Sequence, residues 1–279
     1  MLRRLLWLLV YSNLFIALCA VAMVYQTYLL VIHQPPNTSL LYFVCFATLS
    51  SYSFHWYLTS SSEVPSERIG WTNRHRYIHT ILFFIGSAGT AYFFFSLVEH
   101  WSWLALSAVI TFLYSAPKIP HKHFRALRKV AVGKTVFLAF VWMYATTILP
   151  VIISGKEWQP DVILFIFSRF FLIYAICILF DYRDRKDDKA AGIRSMITYF
   201  SEKGVDRLFF ISLIVFAVSS LLLLRYNYSI KSVCFLLLPG FITALFYKQG
   251  KRSLNDLFFY FLLDGLMMLS ALLMIGFGI

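Results

Sequence analysis

Strongly apolar stretches of roughly 20 residues recur from one end of this 279-residue chain to the other, each long enough to cross a bilayer as helix. That recurrence restricts the fold more than any other feature. In hydrocarbon every backbone N–H and C=O must be satisfied within the protein, which leaves helices or closed barrels, and runs of this length predict helices. Breaks at polar residues and prolines place them at 4–32, 39–59, 76–98, 101–117, 130–153, 160–182, 206–224, 230–248 and 254–278. The expectation is an all-α, polytopic membrane helical bundle of about nine transmembrane helices, with residues 1–279 forming one domain.

Charge supports this reading. Only 14% of residues are charged, against close to a quarter in a soluble domain. The net charge of +12 does not call for nucleic acid, because the basic residues sit in short loops between apolar spans. Twenty-one Lys and Arg fall in the loops of one side and three (Lys156, Arg225, Lys231) in those of the other. By the positive-inside rule the N-terminus and the basic loops face the cytoplasm. Met1-Leu2-Arg3-Arg4 followed by an apolar run resembles a secretory signal, but that run continues through Leu30 and Ile32, well past an h-region of about 7–15 residues. The expectation is a multi-pass protein of a bacterial inner membrane. Cys19, Cys45, Cys177 and Cys234 lie singly in apolar segments with no metal-binding spacing.

Asp181-Tyr182-Arg183-Asp184-Arg185-Lys186-Asp187-Asp188, at the end of the sixth span, is the most informative stretch. In a continuing helix Asp181, Asp184 and Asp188 fall at i, i+3 and i+7 on one face. Three carboxylates so placed repel unless a cation sits among them. Carboxylates together with substrate phosphates are the usual way a protein holds Mg²⁺. Gly192 is placed to end the helix and Arg194 to meet phosphate oxygens. From spacing alone, a solvated cytoplasmic loop that merely sets topology is an equal alternative. A second constellation, Tyr114-Ser115-Ala116-Pro117-Lys118, leaves the fourth span.

Together these runs bring a family into view. Asp181-xx-Asp184-xxx-Asp188-xxx-Gly192-x-Arg194-Ser195 resembles the second aspartate-rich motif of UbiA-type prenyltransferases, and Tyr114-xxx-Lys118 resembles their YxxxK element. The resemblance implies a helical bundle with a central cavity open to lipid. Mg²⁺ would hold the diphosphate of an isoprenoid donor, and a hydrophobic acceptor, aromatic or lipid, would be alkylated. It makes Asp181, Asp184 and Asp188 metal ligands and, with Tyr114 and Lys118, catalytic. Lys118, Arg183, Arg194, His55 and Ser51 become substrate-binding residues. The chain departs from the family on the second span, where NxxxDxxxD is replaced by Ser51, His55 and Thr59. A non-catalytic lipid- or isoprenoid-binding relative is therefore the alternative. Arg169 and Asp264 lie inside spans, at about 2.5–3.5 kcal/mol each on insertion scales, and are expected to face one cavity and pair. Asn13 is expected to bond across helices.

Overall fold

The computed structural model describes residues 2–59, 66–116, 133–190 and 200–278, and among them every regular element is a helix. In chain order these are α1 (Leu2–Tyr11), α2 (Leu14–Ile32), α3 (Thr38–Tyr57), α4 (Glu67–Arg74), α5 (Arg76–Ser96), α6 (Trp101–Ser115), α7 (Lys134–Ile153), α8 (Pro160–Ala190), α9 (Glu202–Tyr226), α10 (Ile230–Leu245), α11 (Tyr247–Gly250) and α12 (Phe258–Gly276). Six of them, α2, α5, α7, α8, α9 and α12, are long and apolar enough to cross a membrane. The other three expected spans are also helical, as α3, α6 and α10. The protein is thus a polytopic helical membrane bundle.

Packing follows from which helices are apolar all round. Helix α2 lies between α3 and α12, and α8 lies between α7 and α9. Both are buried over most of their length, as a helix without a polar face must be. By contrast α5 lies against α3 and turns Tyr77, Ile81, Phe84, Tyr92 and Phe95 outward, a surface suited to lipid. The α3–α5 contact is close because Gly86 and Gly89 face α3. A Cβ at Gly86 would lie 2.7 Å from the Ser50 backbone nitrogen, and one at Gly89 would lie 2.4 Å from the Phe46 ring. Small residues allowing backbones to approach are a recurrent device in membrane helices, where no hydrophobic force drives association.

The first expected span is broken rather than continuous. Asn13 adopts a left-handed conformation (φ 70°) between α1 and α2, a region that Asn tolerates better than most side chains. Its buried amide then reaches across the bundle. Nδ2 lies 3.4 Å from both Ser53 Oγ and His79 Nδ1, and Oδ1 accepts from the Arg68 guanidinium at 2.5 Å. The interhelical bonding expected of Asn13 is present, but with a kink that hydropathy alone does not reveal.

The expected Arg169–Asp264 pair does not form. Arg169 on α8 donates to the Met23 carbonyl (3.2 Å), Thr146 Oγ1 (3.2 Å) and Gln26 Oε1 (2.8 Å), tying α8 to α2 and α7. Gln26 passes the link on to Ser270 of α12 at 2.9 Å. Amide, hydroxyl and carbonyl oxygens thus satisfy the guanidinium where a carboxylate was anticipated. Asp264, a residue 9% exposed, instead feels the charges of Arg68 and Arg183, and its carboxylate forms no hydrogen bond with the described residues.

Candidate functional site

Most of the described charged side chains gather at one end of the bundle. Helix α8 continues unbroken through the charge-rich run to Ala190, so Asp181, Asp184 and Asp188 do share a face, one turn after another. Asp181 and Asp188 are each only 4% exposed. Carboxylates buried that far must have partners, and the start of α7 supplies them. Thr135 Oγ1 donates to Asp181 Oδ2. Lys134 Nζ lies 3.4 Å from Asp188 Oδ1 and 4.0 Å from Asp184 Oδ2. The cation that the three carboxylates demand therefore comes from the chain itself. Asp184 remains partly exposed, at 35% of its side chain.

This donor set suits a hard cation. Mg²⁺ is usually held by one or two carboxylates plus substrate phosphates, with no cage made wholly of protein. Asp184 and Asp188 offer such oxygens, though among the described residues no group of three or more His, Cys, Asp or Glu side chains is placed to hold a metal ion.

Beside this face stands an aromatic pair. The His55 ring of α3 stacks on Tyr114 of α6, with centroids 5.4 Å apart and planes inclined by 17°. Ser115 Oγ lies 3.4 Å from His55 Nδ1, and Thr59 Oγ1 donates to the His55 carbonyl at 2.9 Å. The charges of Lys134, Asp184 and Asp181 act on the Tyr114 phenol. Ser51 is half-buried one turn before His55. Farther into the bundle, Trp142 Nε1 donates to the Tyr52 hydroxyl at 3.1 Å, and Tyr174 and Phe170 stack at 5.9 Å along α8. Lys118, Gly192 and Arg194, all expected at the site, lie outside the described residues.

Arg183 is only 8% exposed and points toward α12. Its guanidinium bonds Asp256 and the Tyr260 hydroxyl, and comes within 3.7 Å of Asp184 Oδ1. Asp256 also accepts from the Arg68 backbone N–H (2.8 Å) and from Ser66 Oγ (3.0 Å). The Arg68 guanidinium lies 3.9 Å from the Trp56 centroid and 4.1 Å from that of Tyr260, a cation–π arrangement on both rings. Burial lowers its affinity for the proton from the ordinary value, against the pull of Tyr260 and the nearby acids.

Sequence reasoning missed Lys134, Thr135, Arg68, Asp256 and Tyr260 as neighbours of the aspartate run. On hydropathy and charge alone Lys134 is one more basic residue near the end of an apolar span. The signal that could have found it was the requirement for a cation among three carboxylates on one face.

A search of curated protein sequences returned no match. A model of the UbiA prenyltransferase family matches residues 64–265, well over half of the chain. The matched part begins after α3. It takes in Tyr114, Lys134, the three aspartates and Asp256, and leaves out Ser51, His55 and Thr59. With this match over most of its length and the aspartate face in place on α8, the chain belongs to the UbiA prenyltransferase family.

Proposed function

We propose that this protein transfers a prenyl group, within the membrane, from an isoprenoid diphosphate to a hydrophobic acceptor, and that the donor's diphosphate binds at the face of Asp181, Asp184 and Asp188. The observation that carries the reading is that face: three carboxylates on consecutive turns, two of them buried, with Lys134 among them and the Tyr114–His55 pair alongside.

The chemistry follows from the charges. The allylic C–O bond breaks with its electron pair leaving on the diphosphate, and the carbon then bonds to the acceptor, which loses a proton. Asp184 and Asp188 would hold Mg²⁺, which when bound neutralises charge on the leaving group. Lys134 adds a fixed ammonium beside the same oxygens, and Lys118 and Arg194 add further positive charge. Tyr114 would donate a hydrogen bond to the diphosphate. Its ring and that of His55 offer aromatic faces to a cationic carbon. Tyr174 and Phe170 run inward from Asp181 on the same side of α8 and suit an isoprenoid tail.

Orientation completes the proposal. If α3, α6 and α10 cross as well, the chain makes nine crossings, and the basic end that carries the site faces the cytoplasm. The experiment is diphosphate release from geranylgeranyl diphosphate by the purified protein with Mg²⁺ and a panel of phenolic and lipid acceptors. Asp184→Asn and Asp188→Asn should each abolish it; release retained in both contradicts the assignment.

A second reading, an isoprenoid-binding protein without transfer, is favoured by one observation: His55 and Thr59 stand where the resemblance places the family's two acids, and Ser51 where it places the asparagine, while Lys134 already engages two of the α8 carboxylates. Tight binding of the diphosphate without release under any acceptor would establish it.

A further inference from the structure

Within the bundle the Asp264 carboxylate stands without a hydrogen bond. Arg169, also inside a span, meets three oxygens. Asp264 on α12 is only 9% exposed, and its side chain meets no donor among the described residues. Arg68 and Arg183 act on it through charge alone, because the Arg183 guanidinium bonds Asp256 and Tyr260 and that of Arg68 bonds Asn13. An ionisable side chain inside a span normally faces the bundle interior and finds a partner there, since a buried polar group left unbonded is costly. Tyr52 of α3 has the complementary need. Its hydroxyl accepts from Trp142 Nε1 at 3.1 Å and donates to no described residue. The Asp264 charge acts on this phenol, yet the two groups do not bond each other, so a gap lies between them. Tyr52 is half-buried against Trp142 of α7, and Tyr260 of α12 is half-buried against Trp56 of α3. Surface left accessible between packed helices marks an open space there. That space adjoins the donor site, since the charges of Asp181 and Asp264 both act on the Cys177 thiol of α8. The turn of α12 that leads into Asp264, Phe258–Leu263, is a wide π-helical one, an irregularity that recurs at functional sites.

We propose that Asp264 and Tyr52 together hold the prenyl acceptor, and that they grip it by a hydroxyl group. A hydroxyl both donates and accepts, so a single one takes the bond that Tyr52 offers and gives its own to Asp264. A carbonyl would engage Tyr52 alone, and an ammonium Asp264 alone. The inference rests on the prenyl-transfer reading and narrows its hydrophobic acceptor to one that carries a hydroxyl. It also accounts for a carboxylate kept inside a span with no partner of its own: the substrate brings the partner.

The test uses two probes that differ in one proton donor, 2-naphthol and its methyl ether 2-methoxynaphthalene. Equilibrium dialysis at a fixed detergent concentration gives the dissociation constant of each for the purified protein, and the ratio of ether to naphthol constants is compared between variants. Asp264→Leu should lower that ratio by about tenfold or more, because a site built around a hydroxyl discriminates against an analogue without it. Asp264→Asn keeps an accepting oxygen of the same shape but loses the charge that strengthens the bond, so its ratio should fall between the two. Tyr52→Phe should weaken both probes and leave their ratio unchanged, since each probe retains an oxygen that accepts. Elution as a single species and an unchanged helical circular dichroism signal serve as the folding control; should Asp264→Leu fail it, Asp264→Asn decides. Failure of the wild type to bind 2-naphthol, or a ratio in Asp264→Leu or Asp264→Asn equal to that of the wild type, would overturn the proposal. Binding of geranylgeranyl diphosphate with Mg²⁺ to the wild type is measured alongside. If that binding is absent while the ratio depends on Asp264, the prenyl-donor reading fails and the hydroxyl site stands. If it is present while the ratio ignores Asp264, the hydroxyl site fails and the donor reading stands.

Discussion

Around Asp256, donors and acceptors close on one another. The carboxylate takes bonds from Arg183, Ser66 and the Arg68 backbone, and Arg68 is further sandwiched between Trp56 and Tyr260. Around Asp181, Asp184 and Asp188, on the neighbouring stretch of α8, the described residues bring Lys134 to Asp184 and Asp188, Thr135 to Asp181, and Arg183 to within 3.7 Å of Asp184. The first cluster resembles a knot joining α4, α8 and α12. The second keeps an accessible edge at Asp184, its side chain 35% exposed. A buried carboxylate engaged on both oxygens serves the fold. One with an exposed edge has capacity for something that arrives with a cation.

The largest effect should come from breaking the knot. Asp256→Ala strands the buried Arg183 guanidinium and the Arg68 backbone N–H, and removal of one partner from a buried ion pair typically costs about 3–5 kcal/mol. Thermal unfolding in detergent reads this directly, and a loss below about 1 kcal/mol would erase the distinction between the two clusters. The opposite profile is expected on the open side. Asp184→Asn, at a half-exposed position, should change stability by about 1 kcal/mol or less. It should nonetheless weaken Mg²⁺-dependent binding of a prenyl diphosphate at least tenfold, measured by calorimetry on the same preparation.

These contrasts also mark what could be read from the sequence. The apolar spans, the bundle and the concentration of charge at one end were legible, because hydrophobic length and loop charge are local properties. So was the alignment of the three aspartates, since helical spacing alone dictates it. The partners were not. Lys134 and Asp256 lie far along the chain from Asp184, and nothing local distinguishes a lysine that sets topology from one that enters a site. Arg169 shows the same limit. A charge in a span needs partners, but the sequence offered Asp264 as the obvious one, whereas packing supplied Met23, Gln26 and Thr146.

A smaller effect is expected in that interior network. Arg169→Met leaves the Gln26 and Thr146 oxygens without their donor, a loss of about 1–3 kcal/mol. Prenyl diphosphate binding should be unchanged. Moving the charge, as Arg169→Asp with Asp264→Arg, should not restore stability; rescue by that exchange would revive the direct pair. The smallest effect belongs to Lys251, which bridges Glu202 (2.6 Å) and Asp206 (2.9 Å) at the edge of the charged end. Burial pushes its ammonium down, but the bonds to Glu202 and Asp206 outweigh it and hold the group above its ordinary value. A raised lysine contributes below its unfolded value and loses that contribution only in alkali. Lys251→Met should therefore cost up to about 1 kcal/mol, flat across neutral pH.

Binding of a prenyl diphosphate at the open carboxylate face decides the proposed function. The direct measurement is equilibrium binding of geranylgeranyl diphosphate to the purified protein, with and without Mg²⁺, comparing wild type with Asp184→Asn. Saturable binding that requires both the metal and Asp184 is the predicted result. Binding indifferent to both, or no binding at all, would contradict it.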